Sequence, residues 1–511
     1  MKKIVLTVLI GMSLIASSCQ DWLEIYNKNE QVTTQYWKNK EDVESVLSSG
    51  YMYFRKTAPT LYDWSELRGG SISASSTARI KLQDFQMTSE ESLCDWSIFY
   101  QVINMANSVL DYAEIVYGID ETYNEAVMKS HLTEAYFLRG LTYFYLVRNF
   151  GEVPLILKSY VDDSTPFNIA KSSEKEILAQ IKKDVVTALE TGAAKEFFED
   201  ADYWSGVSKN RGTKWGLYAL MTDVCLWDED YENAIKYADL LIDATALRRP
   251  AFMKNSEQWF SMFSEGNSNE SIFEIPWSYK EEQTSGSPSS AYTYSETAQY
   301  LYTPAMRARL LEEKTLSGDA SVRAEFGAYA EAGTSGEVYC IWKYQGLGLK
   351  DVTNRRGSNQ QDANYIIYRM ADVMLMRAEA LIWRGSSGDN QAAGEIINQI
   401  RERAKAVLYD ESTFNDEVDQ LSMLKMLLAE RDIEFAAEGK RWYDLLRFGK
   451  SANYKYKNEF IQTIVDNNNN ANPSWLRSVL ANNYAWYLPI KQSEVDSNLL
   501  LEQNPYYGAT N

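Results

Sequence analysis

Residues 128–150 read MKSHLTEAYFLRGLTYFYLVRNF, and this stretch decides the fold. Leu132, Ala135, Tyr136, Leu138, Leu141, Tyr143, Phe144 and Val147 recur at intervals of three and four residues, the period of one helix face. Gly151 and Pro154 follow directly and stop the helix, since one favours a reversed backbone and the other cannot continue the hydrogen-bond ladder. Working outward, Lys214 to about Ala244 predicts a second helical pair. Its middle, Glu229-Asp230-Tyr231-Glu232-Asn233-Ala234, looks like the turn and second-helix start of a tetratricopeptide repeat, with Tyr231 and Ala234 in the aromatic and small positions. Tyr368 to Ala406 predicts a third pair, with Gly388-Asp389 and Ala393 in the matching places. These units are far apart in the chain, so they are expected to be degenerate repeats brought together in space.

The remaining segments are weaker. Glu41 to Tyr53 and Trp96 to Val116 have helical spacing, and Leu421 to Phe448 predicts a last helix. Gly69 to Ala78 (GGSISASSTA) reads as a flexible loop. The insertion of about 250–363 is rich in Ser, Gly and Tyr and has little periodicity. The expected fold class is therefore all-α dominated: tetratricopeptide-like helix pairs over about 128–245 and 365–450, a long irregular loop-rich insertion, and a few short strands.

The first residues predict export. Lys2 and Lys3 precede an apolar run from Ile4 to Ile15, followed by small residues and Cys19, the layout of a secretory signal over residues 1–18. The run is shorter than the ~20 residues that span a bilayer. Leu14-Ile15-Ala16-Ser17-Ser18-Cys19 resembles a bacterial lipobox, with Ala16 where an apolar residue is usual. That resemblance implies a lipidated Cys19 and a chain anchored to a membrane without crossing it. Residues 19–511 are expected to form one domain.

Composition narrows the function. A net charge of −20 argues against nucleic acid as a partner and against charge-driven docking on anionic lipid. Beyond Cys19 only Cys94, Cys225 and Cys340 remain, too few and too odd in number for a disulfide framework, and Cys225 sits in an apolar helical run. One histidine, His131, leaves no His-based metal site, and it stands on the strongest helix, where a packed ring is the simpler reading than a triad member. No phosphate-cradling glycine loop occurs, and nothing calls for a cofactor. Glu430, Glu434 and Glu438 share a helix face but lack the Glu-x-x-His partners of di-iron bundles. Arg431, Lys440, Arg441 and Arg447 stand nearby, so ion pairing is expected. A two-carboxylate glycosidase is not excluded by counting, because 71 residues are acidic.

Several separated segments resemble the SusD/RagB family of outer-membrane glycan-binding lipoproteins. They are Cys19-Gln20-Asp21-Trp22-Leu23-Glu24; Glu66-Leu67-Arg68-Gly69; Trp96, Tyr100, Ile103 and Asn107; and Glu134-Ala135-Tyr136-Phe137-Leu138-Arg139-Gly140 through Arg148-Asn149-Phe150-Gly151-Glu152-Val153-Pro154-Leu155. Further on come Tyr368-Arg369-Met370-Ala371-Asp372-Val373 with Ala378-Glu379-Ala380, then Glu430-Arg431, Glu434-Phe435 and Glu438-Gly439-Lys440-Arg441-Trp442-Tyr443-Asp444-Leu445. Leu488-Pro489-Ile490, Glu494 and Asn504-Pro505-Tyr506-Tyr507-Gly508 close the series. Gly70 stands where the family often has aspartate, and Gly140 where it often has alanine. The resemblance implies a non-enzymatic lid on a SusC-like TonB-dependent transporter that takes oligosaccharides, or on the alternative reading oligopeptides, at the cell exterior.

The motif residues are expected to be structural, with ligand contacts in variable loops. A sugar ring presents an apolar face edged by hydroxyls, which suits a flat aromatic ring with amide and carboxylate neighbours. The aromatic residues expected in loops are Tyr62, Trp64, Trp277, Tyr279, Tyr292, Tyr294, Trp342 and Tyr344, with Ile341–Gln345 as a short strand.

Overall fold

The computed structural model describes residues 36–160, 166–199, 209–293, 298–318, 320–327, 330–333, 336–348, 353–468 and 471–508. Cys19 and the signal segment lie outside the described residues. Among those described, helices dominate and strands are short.

A row of helices runs through the molecule. Its members are α1 (Lys40–Lys56), α2 (Ser97–Tyr117), α3 (Glu125–Phe150), α4 (Glu174–Glu190), α5 (Lys214–Trp227), α6 (Tyr231–Ile242), α7 (Met370–Arg384), α8 (Asp389–Ala404), α9 (Gln420–Glu434) and α10 (Arg441–Tyr454). Each of α1 to α8 packs on the next, and α9 also packs on α7. Asn124 caps α3 by accepting from the Val127 amide, and Gly151 ends it at φ +74°, a backbone that glycine adopts without strain. Most of α3 is buried along its length, because α2, α4 and α5 cover it on several sides.

The expected repeats do meet. α6 packs on α7 across more than a hundred residues of intervening chain. Tyr231 lies parallel to Trp383 at 6.2 Å, Arg377 pairs with Asp239 at 2.5 Å, and Arg384 pairs with Glu232 at 3.2 Å. The turn between α5 and α6 is closed by Asp230, whose carboxylate accepts from the Asn233 amide.

Three expectations change. The stretch Leu421–Phe448 is two helices, α9 and α10, because Ala437 and Gly439 take positive φ (64° and 74°) and reverse the chain. Residues 69–78 are not a free loop. Gly70 turns the chain at φ +78°, Ser71 and Ile72 are buried, and Ile72–Ala74 (β1) pairs with Tyr300–Tyr302 (β3). The reason is packing: a Cβ on Gly69 would lie 2.5 Å from Cγ of Arg441. Ile341–Gln345 is a turn, with the amides of Gln345 and Gly346 both donating to the Trp342 carbonyl. The insertion itself is more ordered than its composition suggests. It contributes helices Ser256–Ser264 and Pro304–Leu316, and its strand β2 (Ser271–Ile275) pairs antiparallel with β4 (Tyr365–Arg369).

A charge cluster ties the insertion to the repeats. Arg323 pairs with Glu313 (2.8 Å), Glu430 (2.6 Å) and Glu434 (2.9 Å). Arg369 pairs with Glu270 (3.0 Å), Glu434 (2.8 Å) and Glu438 (2.7 Å). Arg401 reaches Glu430, Arg403 reaches Glu434, and Lys343 reaches Glu438. Five cations and five carboxylates thus balance in the interior. Ion pairing of the Glu430, Glu434 and Glu438 face holds, but with partners distant in sequence. Arg431 and Lys440 turn instead to Asp372, Arg441 to Asp432, and Arg447 to Glu379.

Candidate functional site

Six of the eight expected sugar-stacking rings are in the core. Trp64 belongs to helix Ala58–Glu66, stacks on Phe99 at 4.8 Å and donates Nε1–H to the Leu93 carbonyl. Tyr62 sits edge-on to Tyr365 at 4.7 Å and donates to the Gly286 carbonyl. Trp277 donates to the Ser285 carbonyl. Tyr292 stacks on Tyr344 at 5.7 Å, and Trp342 is fully buried. The insertion folds its polar, tyrosine-rich segments inward, and hydrogen bonds to backbone carbonyls satisfy the polar edges of Tyr62, Trp64 and Trp277. With no face open to solvent, none of these six can stack on a ligand in this conformation. Tyr279 is 39 % exposed and remains available. Tyr294 lies outside the described residues.

An aromatic-lined cavity of about 710 Å³ lies elsewhere. Its floor is the first turns of α2, with Trp96, Ser97, Tyr100, Ile103 and Asn104. One wall is formed by Pro154, Ile156, Tyr160, Phe167, Asn168 and Ile169, and the other runs from Glu494 to Leu501. Asn104 fixes the first wall, accepting from the Tyr160 amide at 2.7 Å and donating to its carbonyl at 3.3 Å. Tyr100 donates to the Pro154 carbonyl at 2.8 Å. Asn498 joins the two walls by donating to the Ile169 carbonyl at 2.8 Å, and the Leu499 amide donates to Asn168 Oδ1 at 2.8 Å. The amides of this site are therefore mostly architectural.

What the cavity presents is a ring platform. Tyr160 and Phe167 lie nearly parallel, 6.1 Å apart with 16° between planes. Phe167 is 63 % exposed, an unusual exposure for a benzyl side chain. The polar groups left unused at the rim, among the described residues, are the Asn168 amide nitrogen, the Ser97 hydroxyl and the Glu494 carboxylate. Burial raises the Tyr160 hydroxyl above its ordinary range, and burial together with Tyr143 and Glu494 raises Tyr100 further, so both stay protonated donors at physiological pH. The sequence reading passed over Tyr160 and Phe167. The available signal was two aromatics in a polar stretch after Pro154, outside any helical period.

Among the described residues no group of three or more His, Cys, Asp or Glu side chains is arranged to hold an ion. His131 is 4 % exposed, and its Nδ1 shares a hydrogen bond of 2.8 Å with the Tyr123 hydroxyl. Cys94, Cys225 and Cys340 are buried, and burial pushes the Cys94 and Cys225 thiols up to about 12, which keeps them unreactive. No helix among the described residues is long and apolar enough to cross a membrane.

Known proteins resemble the chain along most of its length. A family model described as "Starch-binding associating with outer membrane" matches residues 21–226, and one described as "SusD family" matches residues 290–507. SusD-like protein P38 of Formosa agariphila is 27 % identical over 497 residues, covering 88 % of this chain and 92 % of the relative. A SusD-like protein of Bacteroides ovatus is 25 % identical over 505 residues, covering 89 % of this chain and 84 % of its own. Among solved structures, a SusD superfamily protein of Bacteroides thetaiotaomicron superposes with a TM-score of 0.72 at 20 % identity, covering 92 % of this chain and 99 % of that one. At that identity the likeness is one of fold. Two family models that between them take in the motif-bearing segments at both ends, and relatives matched along nearly their whole length, place this chain in the SusD/RagB family.

Proposed function

We propose that this protein captures oligosaccharides at the exterior face of the outer membrane and delivers them to a SusC-like TonB-dependent transporter, held in place by a lipid on Cys19. The observation that carries the reading is the exposed Phe167 ring, stacked on Tyr160 at the mouth of a 710 Å³ cavity. An aromatic face with an amide donor, a hydroxyl and a carboxylate at its edge suits the C–H face and hydroxyl rim of a sugar. The family description, starch-binding and associated with the outer membrane, points the same way. Among the described residues the lining holds one carboxylate, Glu494, where glycoside hydrolysis by the usual route uses two, and this supports binding over turnover.

The test is a Phe167→Ala variant, compared with wild type by affinity electrophoresis against a polysaccharide panel. Loss of the exposed ring should weaken binding about tenfold, roughly 1.4 kcal/mol, with an unchanged melting temperature. Undiminished binding, or hydrolysis of any glycan by the purified protein, would overturn the reading.

A further inference from the structure

A second cavity, of about 590 Å³, opens between α1, the start of α3 and the segment before α5. Lys40, Lys195 and Arg211 line it together with Glu44, Ser48, Tyr51 and His131. This is a cationic concavity in a protein whose net charge is −20. Arg211 is held from below, where its Nε and Nη2 donate to the buried Glu134 carboxylate at 2.8 and 2.6 Å. Tyr51 donates to the same carboxylate at 2.8 Å. Glu134 is thus consumed by Arg211 and Tyr51, and Nη1 of Arg211 makes no hydrogen bond among the described residues. The Lys195 ammonium has no carboxylate partner among them either, resting 5.0 Å from the Phe198 ring centre. Lys40 meets Glu41 and Glu44 only loosely, at 3.5 and 3.9 Å. The lining itself holds three cations against one carboxylate, Glu44; Glu134 lies buried behind Arg211, and Glu41 stands beside Lys40 outside the lining.

His131 lies in the same field. Burial, followed by Arg211, Lys195 and Lys40 in that order, lowers its pKa to about 4. Three cations therefore act on one neutral imidazole, whose Nε2 lies 3.6 Å from Glu44. The cavity also shares Ser48, Tyr51 and Asn210 with a neighbouring cavity of about 200 Å³ that reaches Phe54, Phe273 and Pro276. A charged end thus adjoins a polar and apolar chamber.

We propose that this cavity is a subsite for the oxyanion group, carboxylate or sulfate ester, of an acidic saccharide, bound by Lys40, Lys195 and Arg211 with the sugar body directed toward the adjoining chamber. The oxyanion half stands on the charges alone. The saccharide half rests on the glycan reading above, and the probes separate the two.

The chain has a single histidine, so the full protein labelled with ¹³Cε1-histidine gives one imidazole signal. Sodium sulfate, glucuronate, glucose and a short acidic peptide are titrated at constant ionic strength, with chloride as the balancing anion. Glucuronate should give a saturable shift of the His131 signal and glucose none. The Lys40→Gln/Lys195→Gln double variant, altered only at exposed or half-exposed side chains, should keep the wild-type melting temperature and need about tenfold more glucuronate. A nearby anion should also raise the His131 pKa by about one unit. Saturation by glucuronate, lost in the double variant, supports the proposal. No saturable shift with either sulfate or glucuronate, or an unchanged affinity in the double variant, overturns the site. Saturation by sulfate alone, or by the acidic peptide more tightly than glucuronate, overturns the saccharide assignment and leaves the Phe167 reading untouched.

Discussion

Gly439 shows how one residue can hold a junction. Its φ of +74° favours glycine, and a Cβ there would lie 1.9 Å from the Tyr365 hydroxyl oxygen and 2.9 Å from Ser65 Oγ. Its amide donates to Glu66, a buried carboxyl whose pKa burial pushes up to about 8. Gly439→Ala should cost about 3 kcal/mol or more of stability, read as a lower urea midpoint with an unchanged slope. His131 makes a pH-dependent prediction. The unfolded chain takes up this proton near 6.5 and the native protein only near 4, so unfolding gains protons between those values. The contribution is complete above 6.5 and falls by up to about 3 kcal/mol as the pH drops through the window. The stability gap between wild type and His131→Asn should therefore narrow from pH 7 to pH 4, as measured by denaturant titration. A gap of constant size would show that His131 titrates normally.

At the scale of elements, the cost of the interior charge cluster is concentrated on α9. Burial alone would push the Glu434 carboxyl up, but Arg403, Arg369 and Arg323 hold it well below the usual carboxylate range. Glu434→Gln leaves one cation of the cluster unmatched in the core. It should cost about 3–5 kcal/mol, the penalty for breaking a buried pair by removing one partner, and calorimetry would read it as a large fall in melting temperature. The helices were legible where period and stop signals coincide. Residues 128–150 were read nearly to their true limits, and the turn at Asp230 was placed from a short local pattern. The break between α9 and α10 was not legible, because Ala437, which takes a positive φ of 64°, carries no turn signal. The loop rings failed for a related reason. A Tyr-rich, Ser-rich stretch looks solvent-facing when its hydroxyls have no visible partners, yet here Ser287 and Ser289 are themselves buried and hydrogen-bonded to residues 361–363. Phe167, the ring that does face solvent, sits in a stretch with no period at all.

For the molecule as a whole, attachment and folding are separate matters. Cys19→Ala should abolish incorporation of labelled fatty acid and move the protein to the soluble fraction. Lipid labelling that persists would refute the anchor, while the fold, whose described contacts begin at residue 36, should be unaffected. The balanced cluster carries a consequence in time. Its ten charges come from Glu270 through Glu438, so a chain emerging from its amino end carries unmatched interior charge until Glu438 has appeared. Arg68 waits longer still for the Trp486 carbonyl it donates to at 2.9 Å. A fragment ending at residue 430 should therefore show no protease-resistant core, whereas the complete chain should resist. Such a protein stays pliant until its last segment arrives, so that the acyl anchor proposed on Cys19 would be in place before there is any fold to anchor.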